Sequence, residues 1–280
     1  MNVVVITYWW GDGVCGNSRR NYMTHNMDAR PMTYPQMVSR LSKQAAKFGI
    51  RFDCEEIDSL NYQKSISYKA VFIEKMLRKW KCPVLYLDCD MQIHKKPTLF
   101  QESVYDLMVF NWNGDPRVSV YSPVVFDWNT LETSGGMMYF NYTPNAFRLL
   151  RAWKHLLSEN ENKADDRLLS MAFKQTDAKN YMSYYWVPME YFYIPQFYSK
   201  IIPSKHVVIS HSYALTDENE AKKMAGTKNR VPKDYHRTVS KHAKHHDTFC
   251  ERNLPAHVLD AVRYRNKSMK AYGINYSIKV

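Results

Sequence analysis

Two aspartates directly follow a short apolar run in the first third of the chain. The run covers residues 84–87, Val-Leu-Tyr-Leu, and the triplet Asp88-Cys89-Asp90 comes next. Such a run predicts a buried strand of a parallel sheet, and open α/β sheets bind their ligands at the carboxyl ends of the strands. Two carboxylates one residue apart repel each other unless a cation or a proton lies between them. The triplet therefore predicts a site for Mg²⁺ or Mn²⁺ and a bound diphosphate, and the alternative is a pair of solvated acids in a turn.

The elements around this triplet follow an α/β pattern. A helix at 68–80, a tight link at Pro83 and the strand at 84–87 form one α/β unit. Residues 118–125 predict two short strands or a hairpin, and residues 181–198 predict short extended pieces. The remaining predicted strands cover residues 3–6, 50–54, 107–110, 136–140 and 207–209, and the remaining predicted helices cover 35–48, 144–157, 165–173 and 254–264.

The composition limits the class of protein without fixing a mechanism. The chain has 280 residues, enough for one large domain or two small ones, and its formal net charge is +12. A basic surface attracts phosphates, whether of nucleotides, nucleic acid or anionic lipid. The 21 Tyr, 12 Phe and 7 Trp suit core packing and also stacking on sugars or bases. Residues 217–248 are polar, basic and without period, which predicts a surface loop or mobile segment.

The cysteines and the N-terminal residues bear on the compartment. The five scattered cysteines show no CxxC pair and no metal-ligand spacing, which favours a reducing compartment over a disulfide framework. Residues 2–8 are a β-type run without a basic leader, and no stretch reaches the roughly 18 apolar residues that span a bilayer. We therefore expect a soluble, cytoplasmic protein.

Several further motifs surround the aspartate triplet in the sequence. They are Thr7-Tyr8 at the end of the first strand, Lys69, Leu87-Asp88-Cys89-Asp90-Met91, Thr133-Ser134-Gly135-Gly136-Met137-Met138-Tyr139-Phe140-Asn141, Asp165-Asp166 opening a helix, and Val207-Val208-Ile209-Ser210-His211. Together they resemble the GT-A fold glycosyltransferases, which use nucleotide-sugar donors and carry a DxD motif, over roughly residues 2–213. The resemblance implies an α/β, Rossmann-like fold with a mixed, mostly parallel sheet flanked by helices. It also implies one GT-A domain at 1–215, with an irregular basic loop and C-terminal helix at 216–280 packed on it.

The resemblance implies a donor site around the triplet. Thr7 and Tyr8 would meet the nucleotide base. Asp88 would face the ribose and the metal, Cys89 would lie beside the donor, and Asp90 would be the main protein ligand of the metal.

Two glycines would complete the donor site. Gly135 and Gly136 lack a Cβ, so the backbone could approach the donor sugar closely. The alternative is a plain turn or bulge that leads into a strand.

A late histidine would complete the metal shell. His211 follows a buried run, and a neutral imidazole is a better ligand for Mn²⁺ than for Mg²⁺. The alternative is a histidine that is hydrogen-bonded at a strand end. His206, at the start of the predicted strand, is a weaker candidate, and the histidines of the basic segment are interpreted as solvated: His242, His245 and His246.

The catalytic candidates are Asp165 and Asp166. An inverting transferase needs a base for the acceptor hydroxyl, and a retaining one needs an acidic or amide group near the reacting sugar carbon. The alternative is a pair of first-turn acids that the helix dipole stabilises. Lys69 would assist the donor phosphate or the carboxylate pair, or else be a solvated helix lysine. The region of Trp112 would form a donor or acceptor wall.

The predicted function is transfer of a sugar from a nucleoside-diphosphate sugar, most often UDP in this family, to a hydroxyl of a glycan or other acceptor. Mn²⁺ or Mg²⁺ is the expected cofactor, and no nucleic acid is expected as a partner. A phosphohydrolase of the haloacid-dehalogenase type also uses Asp-x-Asp after a strand, but there the motif lies near the chain start with Gly-Thr after it, whereas Met91-Gln92 follows here. A basic nucleic-acid-binding protein is the third hypothesis, although no helix-turn-helix, zinc-finger or ribonucleoprotein motif is present.

Overall fold

A computed structural model of the chain describes residues 3–10, 33–58, 62–112, 131–160, 163–194 and 204–211. The segments predicted at 118–125, 217–248 and 254–264, the C-terminal part at 216–280 and the three late histidines lie outside these residues. The strands, in chain order, are β1 (Val4–Trp10), β2 (Arg51–Ile57), β3 (Val84–Leu87), β4 (Gln92–Ile93), β5 (Leu107–Asn111), β6 (Thr133–Phe140), β7 (Tyr184–Trp186) and β8 (Ile209–Ser210).

Six of these strands form one sheet in the order β2-β1-β3-β6-β5-β7. The pairs β1–β2, β1–β3 and β5–β7 are parallel, whereas β6 runs antiparallel to both of its neighbours. The prediction of a mixed, mostly parallel sheet is confirmed. Strands β4 and β8 form a separate antiparallel pair. Because β6 is reversed, its first residues lie at the same edge of the sheet as the carboxyl ends of β1 and β3.

Helices flank the sheet, and local capping explains where several of them begin. The N-terminus of the first helix carries a capping box between Thr33 and Gln36, and a left-handed Gly49 follows its end. The Thr143 hydroxyl caps the helix at 144–159, where Pro144 occupies the first turn. The helices are α1 (Tyr34–Lys47), α2 (Tyr62–Ser67), α3 (Lys69–Trp80), α4 (Pro144–Glu159), α5 (Asp165–Gln175) and α6 (Ala178–Tyr181).

The structure corrects two of the predicted strands. The first strand was expected to end near Ile6, but β1 pairs with β2 as far as Trp10, so Thr7 and Tyr8 lie within the strand and not at its end. The strand predicted at 207–209 is shorter and lies later in the chain, because the observed strand β8 covers only Ile209–Ser210. A 3-10 turn at Ser204–His206 precedes it, and its partner β4 has two residues. Helices α2 and α6 and strand β4 were not predicted, since each is too short to show a period.

The interior between α4 and α5 supports the beginning of α5. Trp153 of α4 is fully buried, and its indole N–H donates to the backbone carbonyl of Asp165 at 2.9 Å. The first turn of α5 therefore rests on a buried ring and on a hydrogen bond from another helix. Among the helices that the structure describes, none combines the length and the apolar character that crossing a bilayer requires.

We predict that Trp153→Phe lowers the free energy of unfolding by about 2–3 kcal/mol, because the smaller ring leaves a cavity and the Asp165 carbonyl loses its donor. Urea denaturation measures this change. Arg151→Ala, at an exposed position of the same helix, is the matched control and should change stability by less than about 0.5 kcal/mol. Equal effects of the two substitutions would contradict the supporting role of Trp153.

Candidate functional site

The aspartate triplet lies at the carboxyl edge of the sheet, directly after the buried strand β3. The backbone N–H of Asp88 donates to the Gly136 carbonyl at 2.9 Å, and the Met91 N–H donates to the Asp88 carbonyl at 2.9 Å, which closes a tight turn. The guanidinium of Arg40, on α1, donates to the Asp90 carbonyl at 3.1 Å. Asp90 is buried within this turn. The triplet is therefore held at both ends by backbone hydrogen bonds.

The pairing of β4 with β8 brings His211 to the triplet. Gln92 pairs with Ser210 in an antiparallel register, so His211 lies opposite Met91, one residue from Asp90. The His211 N–H donates to the Tyr193 carbonyl at 2.8 Å, which fixes its backbone. Its Nε2 lies 3.9 Å from an oxygen of Asp88 and 3.9 Å from an oxygen of Asp90. Residues that are about 120 positions apart in the chain thus face one another.

The three predicted metal ligands converge on one position, and they would have to close by about 1 Å to hold a single octahedral ion. One ligand atom each from Asp88, Asp90 and His211 lies within 4.8 Å of the other two. An octahedral ion with bonds of about 2.1 Å places neighbouring ligands about 3.0 Å apart and opposite ligands about 4.2 Å apart. Two carboxylates and one imidazole are a donor set that suits Mn²⁺ better than Mg²⁺. His206, in the turn at 204–206, is not part of this cluster.

The charges of the cluster are strongly interdependent. Burial raises the pKa of Asp90 to about 6, and the neighbouring Asp88 adds to this rise, while His211 opposes it. Burial opposes the charge of His211, but Asp90 and Asp88 together raise the pKa of its ring above the usual value. Without an ion, the cluster therefore favours holding a proton. A divalent cation at this position competes with that proton.

A buried lysine binds the triplet to the next two segments of the site. The ammonium of Lys69, at the start of α3, is 3.3 Å from Asp88 and 2.8 Å from Asp165, and it donates to the Gly135 carbonyl at 2.9 Å. Lys69 is only 5% exposed, which excludes the solvated helix lysine that the sequence left open. Burial would lower the pKa of Lys69, but Asp165 and Asp88 raise it well above its usual value. This lysine is therefore charged, and its ammonium group is held by three partners.

Tyr86 is a site residue that the sequence analysis missed. Its hydroxyl donates to Asp88 at 2.6 Å, and the Lys69 ammonium lies 5.1 Å from the centre of its ring. Tyr86 and Asp88 are two positions apart along an extended segment, so their side chains lie on the same face. This spacing of two residues along a strand is the pattern in the sequence that could have predicted contact between Tyr86 and Asp88.

The glycine pair provides space for the two segments that carry the predicted metal ligands. A Cβ on Gly136 would lie 3.0–3.1 Å from the His211 ring and 3.3 Å from an oxygen of Asp88. Gly135 has a φ of +68°, and a Cβ there would lie 3.0 Å from the Asp166 side chain. The absent side chains thus let His211, Asp88 and Asp166 pack directly against the start of β6. The approach of a donor sugar to these glycines stays a prediction.

Asp165 and Asp166 face different surroundings. Asp165 is buried in the ion pair with Lys69, whereas Asp166 lines a cavity of ≈710 Å³ that also reaches His211 and Trp112. Burial raises the pKa of Asp166 to about 6, and the charge of Asp165 adds to this rise. Of the two predicted catalytic acids, Asp166 therefore has both access to the cavity and a pKa near neutrality.

The other predicted donor contacts are enclosed in the described structure. Thr7 is fully buried, and the buried Tyr8 donates its hydroxyl to the Ser65 carbonyl at 2.8 Å. Cys89 is also buried, and it packs with apolar residues of α1, among them Met37. The roles of these three side chains toward a nucleotide stay predictions.

We predict that Gly136→Ala weakens Mn²⁺ binding by about 10-fold or more while the chain still folds. The new methyl group must displace the His211 ring or the Asp88 carboxylate from the cluster. Calorimetric titration with Mn²⁺ measures the affinity. Gly49→Ala is the control, because a methyl there would meet open space; its positive φ strains the backbone but lies outside the cluster, so the Mn²⁺ affinity should stay unchanged. Equal Mn²⁺ affinities of the two variants would contradict the packing argument.

We predict that Asp166→Asn stabilises the protein at neutral pH. The folded-state pKa of about 6 exceeds the ordinary value of 3.8, so ionisation of Asp166 destabilises the folded state. This destabilisation is absent below pH ~4 and complete above pH ~6. Relative to wild type, the variant should gain up to about 2 kcal/mol as pH rises through this window. Urea denaturation at pH 4 and at pH 7.5 tests this. An equal gain in the free energy of unfolding at both pH values would show that the surroundings of Asp166 do not disfavour its ionised form.

Comparison with known proteins supports the fold. No model of a known protein family matches the sequence, and no curated protein matches it. A glycosyltransferase involved in the glycosylation of the major capsid of PBCV-1 is similar over 79% of this chain and 98% of its own, with 12% identity and a TM-score of 0.50. The galactosyltransferase LgtC, in complex with donor and acceptor sugar analogues, is similar over 84% of this chain and 99% of its own, with 11% identity and a TM-score of 0.46. Together with the sheet topology, the first of these shows that the chain has the GT-A fold found among glycosyltransferases.

Proposed function

We propose that this protein is a glycosyltransferase that moves a sugar from a nucleoside-diphosphate sugar to a hydroxyl group of a glycan or other acceptor. The observation that carries the proposal is the convergence of Asp88, Asp90 and His211 at the carboxyl edge of parallel strands in a GT-A fold. These residues would hold Mn²⁺ in preference to Mg²⁺. The resemblance of the sequence to this family favours UDP as the nucleotide.

The bound cation would neutralise the charge that develops on the leaving diphosphate. The protein contributes a fixed arrangement around that position. Tyr86 and Lys69 orient the Asp88 carboxylate through its Oδ1 atom, which leaves Oδ2 directed toward His211. Since Tyr86 and Lys69 are themselves buried, the Asp88 carboxylate needs little reorganisation when the donor binds.

The two acids of α5 have separate roles in this proposal. Asp165 is a positioning residue, because its carboxylate is engaged by Lys69 at 2.8 Å. Asp166 is the catalytic residue, since it faces the cavity beside His211. A carboxyl group with a pKa of about 6 can take a proton from an acceptor hydroxyl near neutral pH, as an inverting reaction requires, or stabilise positive charge on the reacting sugar in a retaining one.

The structure disfavours a phosphohydrolase of the haloacid-dehalogenase type. Such an enzyme would need Asp88 as a free nucleophile. One Asp88 oxygen is engaged by Tyr86 and Lys69, and the other lies 3.9 Å from Nε2 of His211 and 3.3 Å from the position that a Cβ on Gly136 would take. Formation of a phospho-aspartate at Asp88 would nevertheless establish that alternative.

We predict that Asp90→Asn lowers manganese-dependent turnover of nucleotide-sugar by at least about 100-fold, because the metal loses an anionic ligand. Release of nucleoside diphosphate from a panel of UDP- and GDP-sugars measures the turnover. Asp177→Asn is the matched control: Asp177 is exposed, and its φ of +50° is one that asparagine adopts readily. Full manganese-dependent turnover by Asp90→Asn would exclude the proposed metal site.

A further inference from the structure

The cavity beside Asp166 has one wall formed by a single face of α5. Arg167, Ser170, Met171 and Lys174 all line it, and their spacing of three, four and seven residues places them on one side of the helix. Arg167 and Lys174 are exposed, and neither forms an ion pair with any residue in the described part of the chain. One wall of the cavity thus carries two cations that no carboxylate of the described structure neutralises directly.

The opposite wall is aromatic. Trp112 and Phe192 meet edge to face, with ring centres 6.0 Å apart and an interplanar angle of 85°. Phe192 also packs on the His211 ring, with centres 5.4 Å apart. The aromatic wall therefore begins at the metal cluster and continues into the cavity. Phe192 is only 1% exposed and stacks on Phe110, so it supports the wall, whereas the partly exposed Trp112 is the ring that suits the apolar face of a sugar.

The position of Lys174 separates it from the metal cluster. Lys174 follows Asp166 by eight residues, which is about 12 Å along the helix axis. In the proposed function, the metal holds the donor diphosphate at the beginning of α5. A cation two turns farther along the helix is therefore beyond the diphosphate and faces the second substrate. Two carboxylates, Asp166 and Glu132, also line the cavity and balance the formal charges of Arg167 and Lys174, so it is the position of Lys174 that points to the second substrate.

We infer that the acceptor is an anionic saccharide. Its ring would lie against Trp112, its reacting hydroxyl would point to Asp166, and its phosphate or carboxylate group would be bound by Lys174, whereas Arg167 lies next to Asp166 at the diphosphate end. This inference rests on the proposed glycosyltransferase function and names the substrate class of the same site. Phosphate and carboxylate share the chemistry that the ammonium group recognises.

The test uses the full-length wild-type protein with Mn²⁺ and the donor that it hydrolyses fastest without an acceptor. The acceptors are matched sets built on glucose, galactose and mannose: the methyl glycoside, its 6-phosphate and its 6-carboxylate. The expected result is a kcat/KM at least about 10-fold higher for an anionic member than for its neutral parent. Raising the salt from 50 to 300 mM should raise KM for the anionic acceptors only. The phosphate and carboxylate arms show which anion is preferred.

A variant separates recognition from a structural role. Lys174→Gln should reduce the preference for the anionic over the neutral acceptor by about 10-fold, through KM and not kcat. Arg151→Gln, on an exposed part of α4 away from the cavity, is the control and should leave the preference unchanged. The inference is overturned if the wild type transfers sugar only to neutral acceptors or to none of the acceptors. It is also overturned if Lys174→Gln affects transfer to anionic and to neutral acceptors equally. Failure of the wild type to bind or hydrolyse any nucleotide-sugar overturns the proposed function instead.

Discussion

The buried ammonium of Lys69 is the interaction on which the rest of the site depends. A charge with so little contact with water is tolerated only when it is paired and hydrogen-bonded. Lys69 meets this condition with groups from three segments: Asp88 after β3, the Gly135 carbonyl at the start of β6, and Asp165 at the start of α5. These segments must therefore come together for the chain to fold. The proposed metal ligands and the proposed catalytic acid are among or next to the residues that satisfy this one lysine.

The reversed strand β6 and its glycines set how closely those segments approach. Because β6 runs antiparallel to β3, Met137 pairs with Leu87, and the residues just before Met137 reach the edge where the triplet begins. Any side chain on Gly136 would meet the His211 ring and the Asp88 carboxylate. The same two glycines thus join the donor side of the site to the acids of α5. A compact cluster of ligands follows from strand direction and from the absence of two Cβ atoms.

Much of the fold follows from local patterns in the sequence, whereas the contacts within the site do not. The apolar run at 84–87 and the periodic helices α3, α4 and α5 could be predicted because each buries one clear face. The reversed direction of β6 could not be predicted, since nothing in its own residues records which neighbour it pairs with. Lys69 likewise has the sequence context of a solvated helix residue, and only the convergence of Asp88 and Asp165 makes it buried. The length of β1 was underestimated because its last residues are stabilised by pairing with β2 and not by an apolar run.

The most direct test of the metal-dependent donor site is a thermal-shift measurement with UDP and GDP, each with Mn²⁺ and with EDTA. A ligand present at about 100 times its Kd stabilises the folded state by about 2.7 kcal/mol, which corresponds to a rise in Tm of roughly 5 °C for a chain of this size. We expect at least one of these nucleotides to raise Tm by this amount when Mn²⁺ is present, and we expect EDTA or the substitution His211→Ala to abolish the rise. A rise of the same size in EDTA, or no rise with either nucleotide, would contradict this expectation.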